Sequence, residues 1–141
     1  MKKLFLTASI LAFSFFSAQE LTSEHKQMLK YDDISNFSAL VNKENINQCF
    51  QNENTSYSLL ALSIKLNSKK VFQKLTEEKA DLEKVCDGKT PLMFAAKYGN
   101  FDFAKKLLEK GAKKETKTDR GYSAIDYAKK YEKTDIIKLL E

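Results

Sequence analysis

The sequence predicts an all-α solenoid of about four stacked helical hairpins joined by short inter-repeat β-fingers. Three observations carry that class: one Pro and four Gly in 141 residues, a segment that recurs after 33 residues, and apolar positions that fall into columns across the recurrences. So few turn-formers argue against a strand-and-turn fold and for helices. The length suits a single domain. With 43% apolar and 30% charged residues, the chain is neither a disordered tail nor a bundle of membrane helices.

From the N-terminus, Met1-Lys2-Lys3 gives a short basic start. The apolar run Leu4 to Phe16 follows, and then Ser17-Ala18-Gln19-Glu20. This order of regions is that of a secretory signal peptide over residues 1–18, with cleavage expected after Ala18. The 13 apolar residues are fewer than the ~20 of a membrane-spanning helix. No cysteine follows the run to accept a lipid. The sequence therefore predicts an exported chain, periplasmic or secreted, with no membrane insertion after cleavage.

Residues 19–141 would form the repeat domain, in units of about 21–53, 54–86, 87–119 and 120–141. The clearest unit contains Asp87-Gly88-Lys89-Thr90-Pro91-Leu92-Met93-Phe94-Ala95-Ala96-Lys97-Tyr98-Gly99, echoed 33 residues on by Arg120-Gly121-Tyr122-Ser123-Ala124-Ile125-Asp126-Tyr127-Ala128. Thr90 suits a helix N-cap and Pro91 its first turn. Ala95 and Ala96 let neighbouring helices approach closely. Gly99 ends this helix, and Gly111 ends a second that starts near Phe101. On the second helix Phe103, Ala104 and Leu107 form one apolar stripe. A lone hairpin cannot bury that stripe, so the units must stack.

Earlier units are weaker but in register. Ser58-Leu59-Leu60 stands where the later unit has Thr-Pro-Leu, and Asn67 stands for Gly99; Asn is one of few side chains that visit the left-handed conformation. The columns are Phe37, Val71, Phe103, Ile136 and Val41, Leu75, Leu107, Leu140. A first helix is expected over about Ser23 to Lys30. Some residues depart from the pattern: Glu132 replaces the turn glycine, and Lys114 stands where a buried aliphatic is expected. Terminal units of a solenoid are commonly atypical.

The period, together with Thr90-Pro91-Leu92 and Leu107-Leu108-Glu109-Lys110-Gly111-Ala112, resembles the ankyrin repeat. The resemblance is clear over 87–141 and degenerate over 21–86. The signature histidine is Met93 in one unit and Asp126 in the next, so the interhelical hydrogen bond is expected to be missing there. The resemblance implies a protein-interaction module rather than an enzyme. In such a module the late positions of the first helices and the fingers line a concave groove. Carried over, those positions are Lys65, Leu66, Lys97, Tyr98, Lys130 and Tyr131, with Tyr57, Lys89, Arg120 and Tyr122 from the fingers. They give a lysine ladder beside large side chains, which suits an acidic protein partner. A free monomer is expected. Within this class the chain would be a small exported binding module. One alternative is an immunity or protective partner of a toxin or envelope enzyme. Another, of a different class, is a binder of an anionic envelope polymer; nucleic acid is not an expected partner.

Chemistry is thinly represented. One histidine, His25, and two cysteines, Cys49 and Cys86, are too few for a four-ligand zinc site. No Ser/His/acid set, glycine-rich phosphate loop or nucleophile elbow occurs. His25 reads as a surface residue of a polar first helix, and Asp32-Asp33 as a turn. No catalytic residue, cofactor or metal is expected. Cys49 and Cys86 fall in successive fingers; an exported chain favours a bridge, whereas two small buried thiols are the other reading, and the sequence leaves both open. After cleavage, twenty-two basic residues stand against nineteen acidic ones, +3, with −1 over residues 19–86 and +4 over 87–141.

Overall fold

The computed structural model describes residues 19–141, so the expected signal segment over residues 1–18 lies outside the described residues. Four inner helices, α1 (Ser23–Tyr31), α3 (Leu59–Lys65), α5 (Pro91–Tyr98) and α7 (Ala124–Lys130), alternate with four outer ones. The outer helices are α2 (Phe37–Leu40), α4 (Lys69–Glu77), α6 (Phe101–Glu109) and α8 (Thr134–Leu140). Each inner helix and the outer helix that follows it form one hairpin.

The local chemistry repeats with the hairpins. Thr22 and Ser58 cap α1 and α3 by accepting from His25 N–H and Ala61 N–H. Thr90 caps α5 by accepting from Met93 N–H. At α7 the Asp126 carboxylate accepts from both the backbone N–H and the hydroxyl of Ser123, at 2.8 and 2.9 Å. Those donors hold the half-buried Asp126 carboxyl below its usual range. At the other end of each inner helix the chain reverses through one left-handed residue: Asp32, Asn67, Gly99 and Glu132, with φ of 52, 56, 72 and 54°. Asp, Asn and Gly tolerate that conformation readily; Glu132 adopts it against its preference.

Both predicted columns are buried in one continuous core, and Val71, Leu75 and Leu107 are fully enclosed. Four residues before each reversal lies a third column, Met28, Ser63, Ala95 and Ala128. The small residues at three of its positions let α3, α5 and α7 pack closely. Met28 is larger, so α1 is tied to the stack mainly at its C-terminal end. There the Asp32 carboxylate accepts from Lys70 and Val71 N–H, at 3.0 and 2.9 Å, and the Ser68 hydroxyl donates to the Leu29 carbonyl. Asn100 repeats that last bond one unit later, donating to the Ile64 carbonyl. Lys114, the residue out of pattern, is exposed.

Three expectations are corrected. The fold is helical, but β1 (Gln19–Glu20), β2 (Phe50–Asn52) and β3 (Thr55–Tyr57) form a small sheet in which β1 runs parallel to β2 and β3 antiparallel to it. Of the fingers only the first is thus a strand hairpin. The second is one bridge between Cys86 and Lys89. The third is held by the Glu83 carboxylate, which accepts from Lys113 N–H at 2.6 Å and from the Thr116 hydroxyl at 3.2 Å. Lys113-Lys114-Glu115 gives that segment no apolar face to lay against a neighbour. The third correction is His25, which is buried: its Nε2 lies 3.0 Å from the Leu40 carbonyl and its Nδ1 2.8 Å from the Thr22 hydroxyl. It joins α1 to α2 as the signature histidine of the resemblance, three residues after the cap.

Candidate functional site

Lys65, Lys97 and Lys130, the expected ladder, each lie over an aromatic ring. Lys65 Nζ stands 4.8 Å from the Tyr57 ring centre. Lys97 Nζ lies 5.5 Å from Tyr98 and 5.8 Å from Tyr131, so it bridges two successive units. Lys130 Nζ lies 5.7 Å from Tyr131. Each placement is a cation–π contact, worth ~0.5–1 kcal/mol at exposed sites, that favours this position of the ammonium. Among the described residues the only ion pairs are Lys74–Glu78 and Lys89–Asp87. The ladder lysines therefore carry unneutralised charge on one face.

The aromatic row is divided between packing and exposure. Tyr131 is 37% exposed and Leu66 45%, and both face solvent beside the lysines. Tyr98 is half-buried, stacked on Phe94 with ring centres 6.3 Å apart. Tyr57 is not a surface contact at all. It is 2% exposed, packs on Phe94 at 4.9 Å, and shares a 2.8 Å hydrogen bond between its hydroxyl and that of Tyr98. Its small finger strand is pulled into the core because the ring fills the space above Phe94, which corrects its place in the groove. Burial and the Tyr57 hydroxyl push the Tyr98 phenol well above its ordinary value. Burial acts the same way on Tyr57, but the Tyr98 hydrogen bond and the Lys65 ammonium outweigh it and lower that phenol.

A cleft of about 590 Å³ at the C-terminal end adjoins the last rung: finger residues Lys89, Arg120 and Tyr122 line it together with Tyr127 and Lys130 of α7. Tyr122 is exposed, with its ring 6.4 Å from that of Tyr127. Lys89 pairs with Asp87 at 2.9 Å, and Asp119 and Asp126 also line the cleft. This end is mixed in sign, and Lys130 is the one ladder lysine that lines it.

Sequence reasoning missed one rung. Alignment on the left-handed turns puts Lys30-Tyr31 before Asp32, as Lys65-Leu66 stands before Asn67, Lys97-Tyr98 before Gly99 and Lys130-Tyr131 before Glu132. Tyr31 is the most exposed large side chain of the row at 68%, and Lys30 Nζ lies 5.1 Å from its ring centre. The signal was the Lys–aromatic pair before an acidic turn residue. It was hidden because unit one has an extra residue between its turn and Phe37.

Cys49 and Cys86 are joined, with Cα atoms 5.7 Å apart, tying the start of the first finger to the second. Among the described residues no group of three or more His, Cys, Asp or Glu is placed to hold a metal ion, and no helix is long and apolar enough to cross a membrane.

A stack of helical hairpins with a solvent-facing row on one side of its inner helices defines a repeat protein built for surface recognition. The family model described as ankyrin repeats (3 copies) matches residues 27–118 and again 60–141, and the chain belongs to the ankyrin-repeat family. Members of that family generally act as protein–protein interaction modules and are typically not enzymes. Comparison with curated proteins finds no match to the chain.

Proposed function

We propose that this protein is a small exported interaction module that binds an acidic protein partner along the inner-helix face. The observation that carries the reading is the ladder Lys65, Lys97 and Lys130, extended by Lys30, in which none of the four ammonium groups has a carboxylate partner among the described residues. Lysines so placed raise the encounter rate with a negative surface and discriminate against positive ones. Affinity would come from the exposed Leu66, Tyr31 and Tyr131 and, at the finger end, from Tyr122 and Arg120. Tyrosine and arginine are enriched at interface hot spots because they bury large area while keeping a polar end.

Two features support export. One is the Lys2-Lys3, Leu4 to Phe16, Ala18 order of the first residues. The other is the Cys49–Cys86 bridge, since structural disulfides persist in oxidising compartments. Protein taken from the producing cell should then begin near Gln19.

Affinity capture with the mature chain, followed by mass spectrometry, tests the binding reading. Tyr131→Ala should weaken the captured complex by about 2 kcal/mol, seen mainly in the dissociation rate. Lys65→Glu should mainly slow association. Folded variants that hold the partner as well as the parent does would reject the inner face as the site.

A further inference from the structure

The rungs are regular enough to specify what lies on them, provided the inner face is the binding face as proposed above. They recur after 35, 32 and 33 residues, each at the last turn of an inner helix. The three helices α3, α5 and α7 meet through Ser63, Ala95 and Ala128, all fully buried. Helices in such contact stack at about 8–10 Å. Lys97, within 5.8 Å of the ring centre in the next unit and 5.5 Å of its own, is consistent with that interval. From Lys65 to Lys130 the face therefore offers one cation and one large side chain at each step of about 9 Å, with Lys30 and Tyr31 continuing the row at the α1 end.

We propose that this ladder holds an extended acidic peptide segment in the polyproline II conformation, with a carboxylate at every third residue. A polyproline II chain has three residues per turn and rises ~3.1 Å per residue, so every third side chain returns to one face after about 9 Å. That is the interval of the rungs. A β-strand fits less well: its side chains alternate, so residues three apart point to opposite faces. The two remaining residues of each turn lie toward Tyr31, Leu66, Tyr98 and Tyr131, and aromatic-lined grooves favour the preformed polyproline II helix.

The charge spacing separates this occupant from a phosphate polymer. Each strand of a nucleic-acid duplex carries one charge per about 3.4 Å, or roughly three per rung, against one lysine.

The test uses the mature, disulfide-bonded chain and synthetic peptides about 13 residues long, enough for four glutamates at the widest spacing; at a spacing of three those four cover the roughly 27 Å of three steps. Glutamate is set at every second, third or fourth position of a proline–alanine background with the number of glutamates held constant. Inorganic polyphosphate is the competitor. The period-three peptide should bind at least tenfold more tightly than the other two. It should lose at least fivefold in Lys30→Glu and Lys130→Glu, whose exposed end positions leave the packed centre untouched. Equal affinity for all three spacings would overturn the register while leaving the groove reading intact. The register is overturned in the same way if no peptide binds but a captured protein still depends on Lys130. Tighter, steeply salt-dependent binding of polyphosphate would overturn the proposal in favour of an anionic polymer. Peptide binding that survives both lysine reversals would remove the inner face itself.

Discussion

At the residue scale, His25 shows how one buried polar side chain organises a weak terminal unit. Its Nε2 donates to the Leu40 carbonyl and its Nδ1 accepts from the Thr22 hydroxyl, an assignment that satisfies both ring nitrogens in the neutral form. Its ring also lies 5.7 Å from Phe50, so it connects α1, α2 and the first finger. His25→Ala should cost about 2 kcal/mol, from the lost hydrogen bond and the space left beside Phe50. Denaturant unfolding checks this: the midpoint should fall with little change in slope. An unchanged midpoint would return His25 to the surface. The histidine was legible only in part. Ser23, Glu24, Lys26 and Gln27 surround it with polar residues, and a polar neighbourhood reads as solvent. Its spacing from Thr22, the same as Met93 from Thr90, was the better signal. Tyr57 erred the other way, because its offset from the turn marks a finger position while only the packed Phe94 beneath shows that the ring points inward.

At the element scale, the units differ in how much holds them. α5 and α7 meet through alanines, and their hairpins have outer helices of nine and seven residues. The first unit has an outer helix of four residues and the larger Met28 in the close-contact column. The Cys49–Cys86 bridge compensates: it spans 37 residues of sequence and clamps the first finger to the second. Closing a loop of that length contributes roughly 3–4 kcal/mol in the chain-entropy account. Reduction should therefore speed hydrogen exchange over β1 to β3, α1 and α2 while leaving α5 to α8 nearly unchanged. Uniform exchange with and without reductant, or an intact mass that gains no hydrogens on reduction, would contradict this. The sequence put both cysteines in neighbouring fingers, but whether they meet depends on the bend of the strand hairpin, which period and composition do not encode. The hairpin itself has a physical signature in Phe50-Gln51-Asn52 and Thr55-Ser56-Tyr57, with apolar ends facing the core. The charged third finger lacks that signature.

At the scale of the whole molecule, repeat period and apolar columns were enough to define the stack, because each unit can only bury its stripe against the next. The same period pointed to Lys65, Lys97 and Lys130 and passed over Lys30. It did not show which tyrosines the core would claim, since a position at the rim of a helix pair can turn either way. The result is a continuous core with a positive line on the inner side and a mixed-charge cleft at one end. The central claim is that this line is where a partner rests. Hydrogen exchange of the captured complex, read against the free chain, addresses it most directly. Slowed exchange is expected at the last turns of α1, α3, α5 and α7, around residues 30–32, 65–67, 97–99 and 130–132, with the outer helices α4, α6 and α8 unchanged. Slowing confined to α4, α6 and α8, with the inner turns exchanging as in the free chain, would contradict it.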